Sequence, residues 1–335
     1  MPGSAPRWVQ AAYRPGPGIS GLRRAFVTGA TGFVGANLAR ALLTDGIAIR
    51  ALVREGSDRS SLEGLDIEVR FGSLFDRERL RSDLEGCDAC FHLAAAISHD
   101  DPGEIHRVNV EGTRAVLGAA ADAGTAALVH ASTIGTLCAR KDGSPARETD
   151  SGIPEGASAY ARSKLLSEDV ALELAGKGAP IVIAHIAAPI GPWDRVPTVT
   201  GRKVLRVLQG KDPNYGASSI NHVAVKDVAR GLILAAERGS PGKHYLLARE
   251  GGNLTRDEFV ALVARVAGIS PQRPGPGFLS PARYFGRRRT GQGTERSLAC
   301  DPSWSVRELG LPQTPLDVAF AEAVEWFRAH GALKE

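Results

Sequence analysis

Tyr160 and Lys164 stand four positions apart in the segment YARSK at residues 160–164. On a helix, this spacing places a phenol and an ammonium on one face, one turn apart. A nearby ammonium stabilises the phenolate and lowers the pKa of the phenol, so the tyrosine could exchange a proton near neutral pH. The alternative is a surface tyrosine that stacks on the aliphatic part of the lysine. Ser158 is suited to cap this helix, which would place Tyr160 in its first turn.

A glycine turn lies far upstream of this pair. The segment TGATGFVG at residues 28–35 follows the apolar run Ala25–Val27 and precedes a helical pattern. In such a strand–turn–helix unit, Gly29 allows a tight turn, Gly32 lets the backbone approach a pyrophosphate, and Gly35 lets the helix pack on the strand. The helix N-terminus adds free N–H groups and a partial positive charge. Because the chain has 39 glycines, an ordinary glycine-rich turn remains the alternative.

The end of the second predicted strand bears on which dinucleotide would bind. An acidic residue at this position holds the ribose 2′-hydroxyl of NAD, whereas a basic residue meets the 2′-phosphate of NADP. Here the strand Ile47–Val53 is followed by Arg54, with Arg59 as a second candidate contact. A guanidinium suits a phosphate because it donates in a planar fork. The pattern favours NADP over NAD, although Arg54 could instead end the strand in solvent and leave Glu55 to bind ribose.

Composition excludes several classes of protein. The chain has 335 residues, 43% hydrophobic and 23% charged, which is an ordinary globular composition. Its net charge of +4 is small and spread out, so no nucleic-acid surface is expected. Cys87 and Cys90 have C-x-x-C spacing, but no second pair or histidine cluster completes a zinc site, and buried structural thiols are the favoured interpretation. We therefore expect no metal and no disulfide framework, in keeping with a reducing cytoplasm.

No apolar run is long enough to span a membrane, so no membrane insertion is expected. Residues 1–23 are rich in Pro, Gly and Ala and predict a flexible N-terminal extension without a secretion signal.

Strands and helices alternate through the first half of the chain, which predicts an α/β fold with a Rossmann-type doubly wound parallel sheet. We assign residues 24–187 to a dinucleotide-binding domain, to which 217–240 return, and residues 188–335 mainly to a smaller C-terminal substrate-binding region. The predicted strands are Ala25–Val27, Ile47–Val53, Ile67–Arg70, Ala89–Leu93, Ala127–Ala131, Ile181–Ile186 and 220–225, and the predicted helices are Gly35–Leu43, Arg77–Leu84, Ile105–Ala123, Ala159–Leu174, 203–208, Val228–Glu237 and Leu316–His330. A loop is expected over 270–297.

With these pieces together, the chain resembles an extended short-chain dehydrogenase/reductase of the NAD-dependent epimerase/dehydratase superfamily. Besides the glycine turn and the tyrosine–lysine pair, the matching segments are His92–Ala95, Asn109–Thr113, Ser132-Thr133, Pro189–Pro192, Asn221–Val223 and Asp227–Ala229. The segment Ala51–Arg54 resembles the dihydroflavonol-reductase-like branch, which includes hopanoid-associated sugar epimerase-like proteins. Arg54 in that branch implies NADP.

The resemblance implies roles at the matching positions. Tyr160 would be the general acid/base, and Lys164 would hold the nicotinamide ribose and tune Tyr160. Thr133 matches the hydroxyl residue that binds the substrate oxygen, with Ser132 as the second candidate. Asn109 would support the site from the neighbouring helix.

The resemblance also implies a set of cofactor contacts along the carboxyl ends of the strands. The expected contacts are Gly29, Thr31, Gly32, Phe33, Val34, Gly35, Arg54, Arg59, Ser73, Leu74, Leu93, Ala94, Ala95, Lys164, Ala187 and Pro189. One departure is Gly72-Ser73, because the family often has Gly-Asp there and the aspartate binds adenine. That contact is therefore weakened or moved.

The substrate side is less defined. Substrate contacts are expected among Ile97, His99, Thr133, Tyr160, His185 and Trp193, although a structural histidine is the favoured interpretation of His185. The expected function is an NADP-dependent oxidoreductase that reduces a ketone or aldehyde of a small or medium organic substrate. The alternatives are a nucleotide-sugar epimerase or dehydratase with tightly bound NAD(P), and a dinucleotide-sensing regulatory protein. The helices that carry Asn109 and Tyr160 make a homodimer plausible.

Overall fold

The computed structural model describes residues 21–97, 101–138, 140–153, 157–270 and 297–331. Its main sheet has seven parallel strands in the order β3-β2-β1-β4-β5-β6-β9. The strands are β1 (Arg24–Thr28), β2 (Ala48–Val53), β3 (Glu68–Phe71), β4 (Ala89–His92), β5 (Ala127–Thr133), β6 (Ile181–Ile186) and β9 (His244–Leu247).

Helices cover both faces of this sheet, as the near-continuous apolar composition of its strands requires. They are α1 (Phe33–Thr44), α2 (Arg77–Leu84), α3 (Pro102–His106), α4 (Gly112–Asp122), α5 (Ala159–Gly176), α6 (Val199–Leu208), α7 (Val225–Arg238), α8 (Arg256–Ala267), α9 (Ser303–Leu309) and α10 (Leu316–Ala329). A π-helical turn, Arg107–Glu111, joins α3 to α4.

The two faces of the main sheet have separate apolar cores. On one face, Ala25 and Val27 of β1 pack in a core that also contains residues of α1, α7 and α9. On the other face, Phe26 belongs to a core formed with α2, α4 and α5. This alternation along β1 confirms the doubly wound α/β fold that the sequence predicts.

A second, smaller sheet lies in the C-terminal half, in the order β10-β8-β7. Its strands are β7 (Ala188–Ile190), β8 (Ile220–Ala224) and β10 (Asn253–Leu254), and β10 runs antiparallel to β8. Together with α6, α8 and α10, this sheet encloses a third apolar core around Phe259, Phe320 and Trp326. The division into domains at residues 187 and 188 stays a prediction.

Most predicted elements are present with small shifts of their ends. The predicted helix Ile105–Ala123 is divided into α3, the π-helical turn and α4. The elements β7, β9, β10, α8 and α9 were not predicted from the sequence. The predicted N-terminal extension and the loop at 270–297 lie largely outside the described residues. Across the described ranges, no helix is both long and apolar enough to cross a bilayer.

Candidate active site

The glycine turn between β1 and α1 is held by close backbone contacts. Gly29 has a φ of +75°, and a Cβ added there would lie 2.7 Å from the nitrogen of Ala94. A Cβ at Gly35 would lie 2.1 Å from the carbonyl oxygen of Gly29. Gly32 is different, since its nearest neighbour would be the Gly29 oxygen at 3.3 Å. Gly29 and Gly35 are therefore required by the packing of the turn, whereas Gly32 keeps a surface open.

The first turn of α1 has the character of an anion site. The N-cap is Gly32, which has no side chain that could occupy the helix N-terminus. The first turn also contains no acidic residue. The first N–H groups of a helix have no partner within it and carry partial positive charge. Phe33, Val34 and Gly35 supply these groups beside the exposed Gly32, so the turn fits a dinucleotide pyrophosphate. Thr31 is part of the same turn, and its carbonyl oxygen accepts a hydrogen bond from Ser61 at 2.9 Å.

The segment after β4 passes directly over this turn. The nitrogen of Ala94 donates to Thr28 Oγ1 at 3.2 Å, and Leu93 and Ala95 flank it with partly exposed side chains. Asn109, in the π-helical turn, accepts from the nitrogen of Ala96 at 2.7 Å and donates to its oxygen at 2.9 Å. Asn109 therefore acts as a brace for this segment, as its predicted supporting role requires.

Asn109 also reaches the helix that carries the tyrosine–lysine pair, because its Nδ2 donates to Ser163 Oγ at 2.8 Å. That helix, α5, is capped by Ser158, whose Oγ accepts from the nitrogen of Ala161 at 3.2 Å. The cap places Tyr160 in the first turn and Lys164 one turn later, as expected from the sequence.

The electrostatics of this pair differ from the sequence expectation. Burial raises the pKa of Tyr160 to about 12, and Lys164 does not offset it. Burial also lowers the pKa of Lys164 to about 8, against a smaller opposing effect of Glu168. Lys164 Nζ lies 3.4 Å from His130 Nε2, on the inner side of the helix. In this arrangement Tyr160 is a neutral phenol that holds its proton.

Thr133 and Ser132, the two hydroxyl residues at the end of β5, have different surroundings. Ser132 is buried and donates a short hydrogen bond to Oε1 of Glu168 on α5. Thr133 is partly exposed, and its Oγ1 accepts from the nitrogen of Gly135 at 3.0 Å. Since the Thr133 oxygen is the acceptor in that bond, its hydroxyl hydrogen remains available for a ligand. The arrangement favours Thr133 over Ser132 as the residue that binds a substrate oxygen.

Glu168, His185 and the partly exposed His244 form a cluster next to Ser132. His185 is fully buried, as in its structural interpretation, and its Nδ1 lies 3.7 Å from Glu168 Oε1. Its Nε2 lies 2.8 Å from Nδ1 of His244, which is on the edge strand β9. The composition of the cluster suits a transition metal. However, Glu168 and His244 approach opposite nitrogens of His185, which is the geometry of a hydrogen-bond chain.

The remaining predicted cofactor residues lie along the same edge of the sheet. Arg54 and Arg59 are exposed, and the Arg59 guanidinium lies 5.1 Å from the centre of the Phe71 ring. Ser73 is exposed, with Leu74 partly buried beside it. Ala187 is buried at the end of β6, and Pro189 lies in the middle of β7.

Besides Thr133, Tyr160 and His185, two more of the predicted substrate residues lie among the described residues. Ile97 is exposed at the end of the segment that follows β4. Trp193 has a φ of +73° and packs between the Arg40 guanidinium, 3.4 Å from its ring centre, and the ring of Trp326 at 4.6 Å. Its ring therefore contributes to packing between α1 and α10. His99 lies outside the described residues.

Comparison with known proteins identifies the family. The model of the NAD dependent epimerase/dehydratase family matches residues 25–248. The chain belongs to this family. It is therefore an NAD(P)-dependent extended short-chain dehydrogenase/reductase, as the resemblance of its motifs implies.

Individual members of the epimerase/dehydratase family resemble the whole chain. A Synechocystis sp. protein provisionally named dihydroflavonol 4-reductase is 37% identical, over 92% of this chain and 96% of its own length. Sterol demethylase protein B of Methylococcus capsulatus is 35% identical, over 92% of this chain and 99% of its own. Among solved structures, the dTDP-glucose 4,6-dehydratase DesIV of Streptomyces venezuelae, with NAD bound, matches at a TM-score of 0.75 and 26% identity, over 92% of this chain and 98% of its own.

Three residues that surround the site were not predicted from the sequence, namely Glu168, Ser151 and His244. Glu168 Oε2 accepts from Ser151 Oγ at 2.8 Å, in addition to the bond from Ser132. Glu168 could have been found, since it lies one helical turn after Lys164 on the same face of α5. His244 gave no local signal, because it reaches His185 only through the pairing of β6 with β9.

Proposed function

We propose that this protein is an NADP-dependent reductase of a ketone or aldehyde, with Tyr160 as the proton donor. The observation that carries the proposal is the position of Tyr160 on the capped first turn of α5, together with the available hydroxyl hydrogen of Thr133 at the end of β5. A phenol that keeps its proton at neutral pH suits the direction of reduction, in which a carbonyl oxygen must gain a proton.

Each residue has a separate task in this mechanism. The nicotinamide, when bound, supplies the hydride to the carbonyl carbon. The Thr133 hydroxyl donates a hydrogen bond to the carbonyl oxygen, and its orientation is set by the Gly135 N–H. Tyr160 transfers its proton to that oxygen as negative charge develops there. Lys164, a cation with three donors, would hold the nicotinamide ribose and stabilise the tyrosinate that remains.

The preference for NADP rests on Arg54 and Arg59. Both side chains are exposed after β2, where a 2′-phosphate would lie in this fold. Glu55 is the residue that would bind the ribose hydroxyls if NAD were the cofactor. We propose that the two guanidiniums hold the phosphate in preference to that alternative.

We further propose that the substrate is a carbonyl compound with an apolar body. Four exposed apolar residues lie on the segments that follow β4, β5 and β7. Their exposed fractions are 61% for Ile97, 53% for Ile153, 82% for Val196 and 53% for Val199. A nucleotide sugar would need basic residues that bind its diphosphate, and two arginines of α6, Arg202 and Arg206, donate to the carbonyl oxygens of Pro197 and Asp212 instead. The relative named as a reductase supports this assignment, whereas the structural similarity to a dTDP-glucose dehydratase supports the second candidate, a nucleotide-sugar epimerase or dehydratase.

The test is NADPH oxidation and NADP⁺ reduction with a panel of ketones, alcohols and nucleotide sugars. We expect consumption of NADPH with an apolar ketone or aldehyde, and slower turnover with NADH. Arg54→Ala should reduce this preference for NADPH over NADH. Tyr160→Phe should lower kcat by at least about 100-fold and leave NADPH binding intact. Tyr245→Phe is the matched control, because Tyr245 is buried in β9, where its hydroxyl accepts a hydrogen bond from the nitrogen of Ser240.

Three outcomes would contradict the proposal. Conversion of a nucleotide sugar without net change in NADPH would identify an epimerase or dehydratase. Tight dinucleotide binding without turnover of any compound would favour a sensing protein. Unchanged turnover in Tyr160→Phe would remove the tyrosine from the mechanism.

A further inference from the structure

We propose that His185 is a positioning residue for Thr133, through a buried chain that fixes the end of β5 against the helix that carries Tyr160. The inference rests on the proposed function, because it assigns His185 to the reaction through Thr133. His185 itself is fully buried and reaches the site only through its neighbours.

The hydrogen bonds of His185 determine which of its nitrogens carries the proton. Nδ1 lies 3.3 Å from the carbonyl oxygen of Thr133, which can only accept. Nδ1 also lies 3.2 Å from Thr136 Oγ1, whose own hydrogen is donated to the same carbonyl at 2.8 Å. A neutral His185 therefore has its hydrogen on Nδ1 and directs it at the last residue of β5. Its Nε2 must then accept, so His244 donates its Nδ1–H across the 2.8 Å contact.

Glu168 connects this chain to the tyrosine helix. It lies one turn after Lys164 on α5 and is 1% exposed. Its carboxylate accepts from Ser132 of β5, accepts from Ser151 at 2.8 Å, and faces the Nδ1 of His185 at 3.7 Å. Two serine hydroxyls therefore donate to the carboxylate, one of them from β5, while Nδ1 of His185 on β6 lies beside it beyond hydrogen-bond distance. This arrangement fixes the end of β5 relative to the helix that carries Tyr160.

The consequence concerns the Thr133 hydroxyl. Thr133 and Thr136 lie in a short turn in which the Thr133 carbonyl accepts from both Thr136 and His185. Removal of the Nδ1–H would leave this carbonyl with one donor and would leave Glu168 facing an unfilled space. The Thr133 backbone could then rotate, and its hydroxyl would lose alignment with the proton donated by Tyr160. Because a displacement of about 1 Å in a reacting group can lower a rate about 100-fold, a buried residue can control turnover in this way.

A metal ion at the same cluster would require a different geometry. Glu168 approaches Nδ1 of His185, whereas His244 approaches Nε2. One ion would take a single nitrogen of His185, so it would have to displace the hydrogen bond to Thr133 on the Nδ1 side or the one to His244 on the Nε2 side. The direction of the Nδ1–H toward a carbonyl also removes that nitrogen as a metal ligand.

Two conservative substitutions test the two nitrogens of the His185 imidazole one at a time. His185→Asn keeps an N–H donor near the position of Nδ1 and loses the contact with His244. His185→Gln places its amide near the position of Nε2 and loses the donor to Thr133. We expect His185→Gln to lower kcat about 100-fold with NADPH affinity unchanged, and His185→Asn to restore most of that loss. His222→Asn is the matched control, because His222 is equally buried but lies in the smaller sheet, next to Tyr215 of the third apolar core.

A second measurement is independent of turnover. The amide of Gly135 donates to Thr133 Oγ1, so its hydrogen exchange reports the alignment of that hydroxyl. Exchange in residues 132–137 should accelerate in His185→Gln and remain near the wild-type rate in His185→Asn. If the wild-type protein reduces no carbonyl compound, the proposed function fails, while this exchange pattern still tests the positioning.

Two results would overturn the inference. Equal loss of kcat and equal exchange in the Asn and Gln variants would show that His185 has only a general packing role. Uptake of one zinc ion per chain by the wild-type protein, lost in both variants and retained in His222→Asn, would make the cluster a metal site.

Discussion

At the scale of residues, the glycine turn separates two roles that a glycine can have. Gly35 is required by packing, because a Cβ there would lie 2.1 Å from the Gly29 oxygen. Gly32 has extended backbone angles, φ −78° and ψ 170°, and its Cβ would meet its nearest neighbour only at 3.3 Å. Gly32 is therefore not required by its backbone angles, and a Cβ there would need only a small local shift, so the proposed pyrophosphate is the main reason to keep a glycine.

This difference predicts opposite outcomes for two substitutions in the same turn. Gly35→Ala should lower the free energy of unfolding by about 2 kcal/mol or more, because the backbone of the turn must move. Gly32→Ala should change it by less than about 1 kcal/mol and still abolish NADPH binding. Urea unfolding and fluorescence titration with NADPH measure the two effects. Loss of stability in both variants, or in neither, would contradict this assignment.

The types and spacing of the residues predicted which helix carries Tyr160 and Lys164. They did not predict the pKa values of these residues or the side chains that they face. The helical spacing of Tyr160 and Lys164 correctly placed both on α5. It could not show that Lys164 turns toward His130, nor that burial raises the pKa of Tyr160. Both depend on strands far away in the chain. Nor could the spacing show that Ser132 donates to Glu168, which is the contact that favours Thr133 as the proposed substrate-binding hydroxyl.

At the scale of elements, local signals were sufficient where an element is long or has recognisable ends. Strand β6 and helix α2 begin and end at the predicted residues. Strand β9 has only four residues, His244–Leu247, and is defined by its pairing with β6. Such pairing between distant segments has no periodic pattern of its own. Helix α8 is different, because its N-terminus carries a capping box that could have been recognised in the sequence.

The capping box of α8 allows a stability prediction. Thr255 Oγ1 accepts from the nitrogen of Glu258, and Glu258 Oε2 accepts from the nitrogen of Thr255 at 2.8 Å. Thr255→Ala should lower the free energy of unfolding by about 1 kcal/mol. Thr255→Ser keeps the hydroxyl and should lose less than half of that amount. Chemical unfolding followed by circular dichroism gives both values, and equal losses would show that the methyl group matters more than the cap.

At the scale of the whole molecule, the helix of the glycine turn depends on a distant part of the chain. Helix α1 packs along α7 in one apolar core. At its end, Asp45 forms a two-pronged ion pair with Arg230 of α7, and one of the N–O distances is 2.9 Å. The two side chains are 5% and 12% exposed. The support of α1 is therefore electrostatic as well as apolar.

This ion pair should contribute to stability far more than an exposed one. Asp45→Asn removes the carboxylate charge from a mostly buried ion pair and should lower the free energy of unfolding by about 3 kcal/mol. Asp122→Asn breaks the exposed pair with Arg77 and should cost less than about 1 kcal/mol. Urea unfolding of both variants measures the difference. Similar losses would mean that the Asp45 pair is as well solvated as the surface one.

The position of β9 also has a consequence for how the protein is synthesised. The strand completes the main sheet only after the chain has passed through β7, α6, β8 and α7. While a ribosome is still making these elements, β6 is an open edge and α1 lacks the helix that covers it. Open edges and bare apolar faces are the surfaces by which nascent chains misassemble. The sheet that carries the glycine turn is continuous in space but interrupted in sequence, so it cannot be completed before Leu247 has been added to the growing chain.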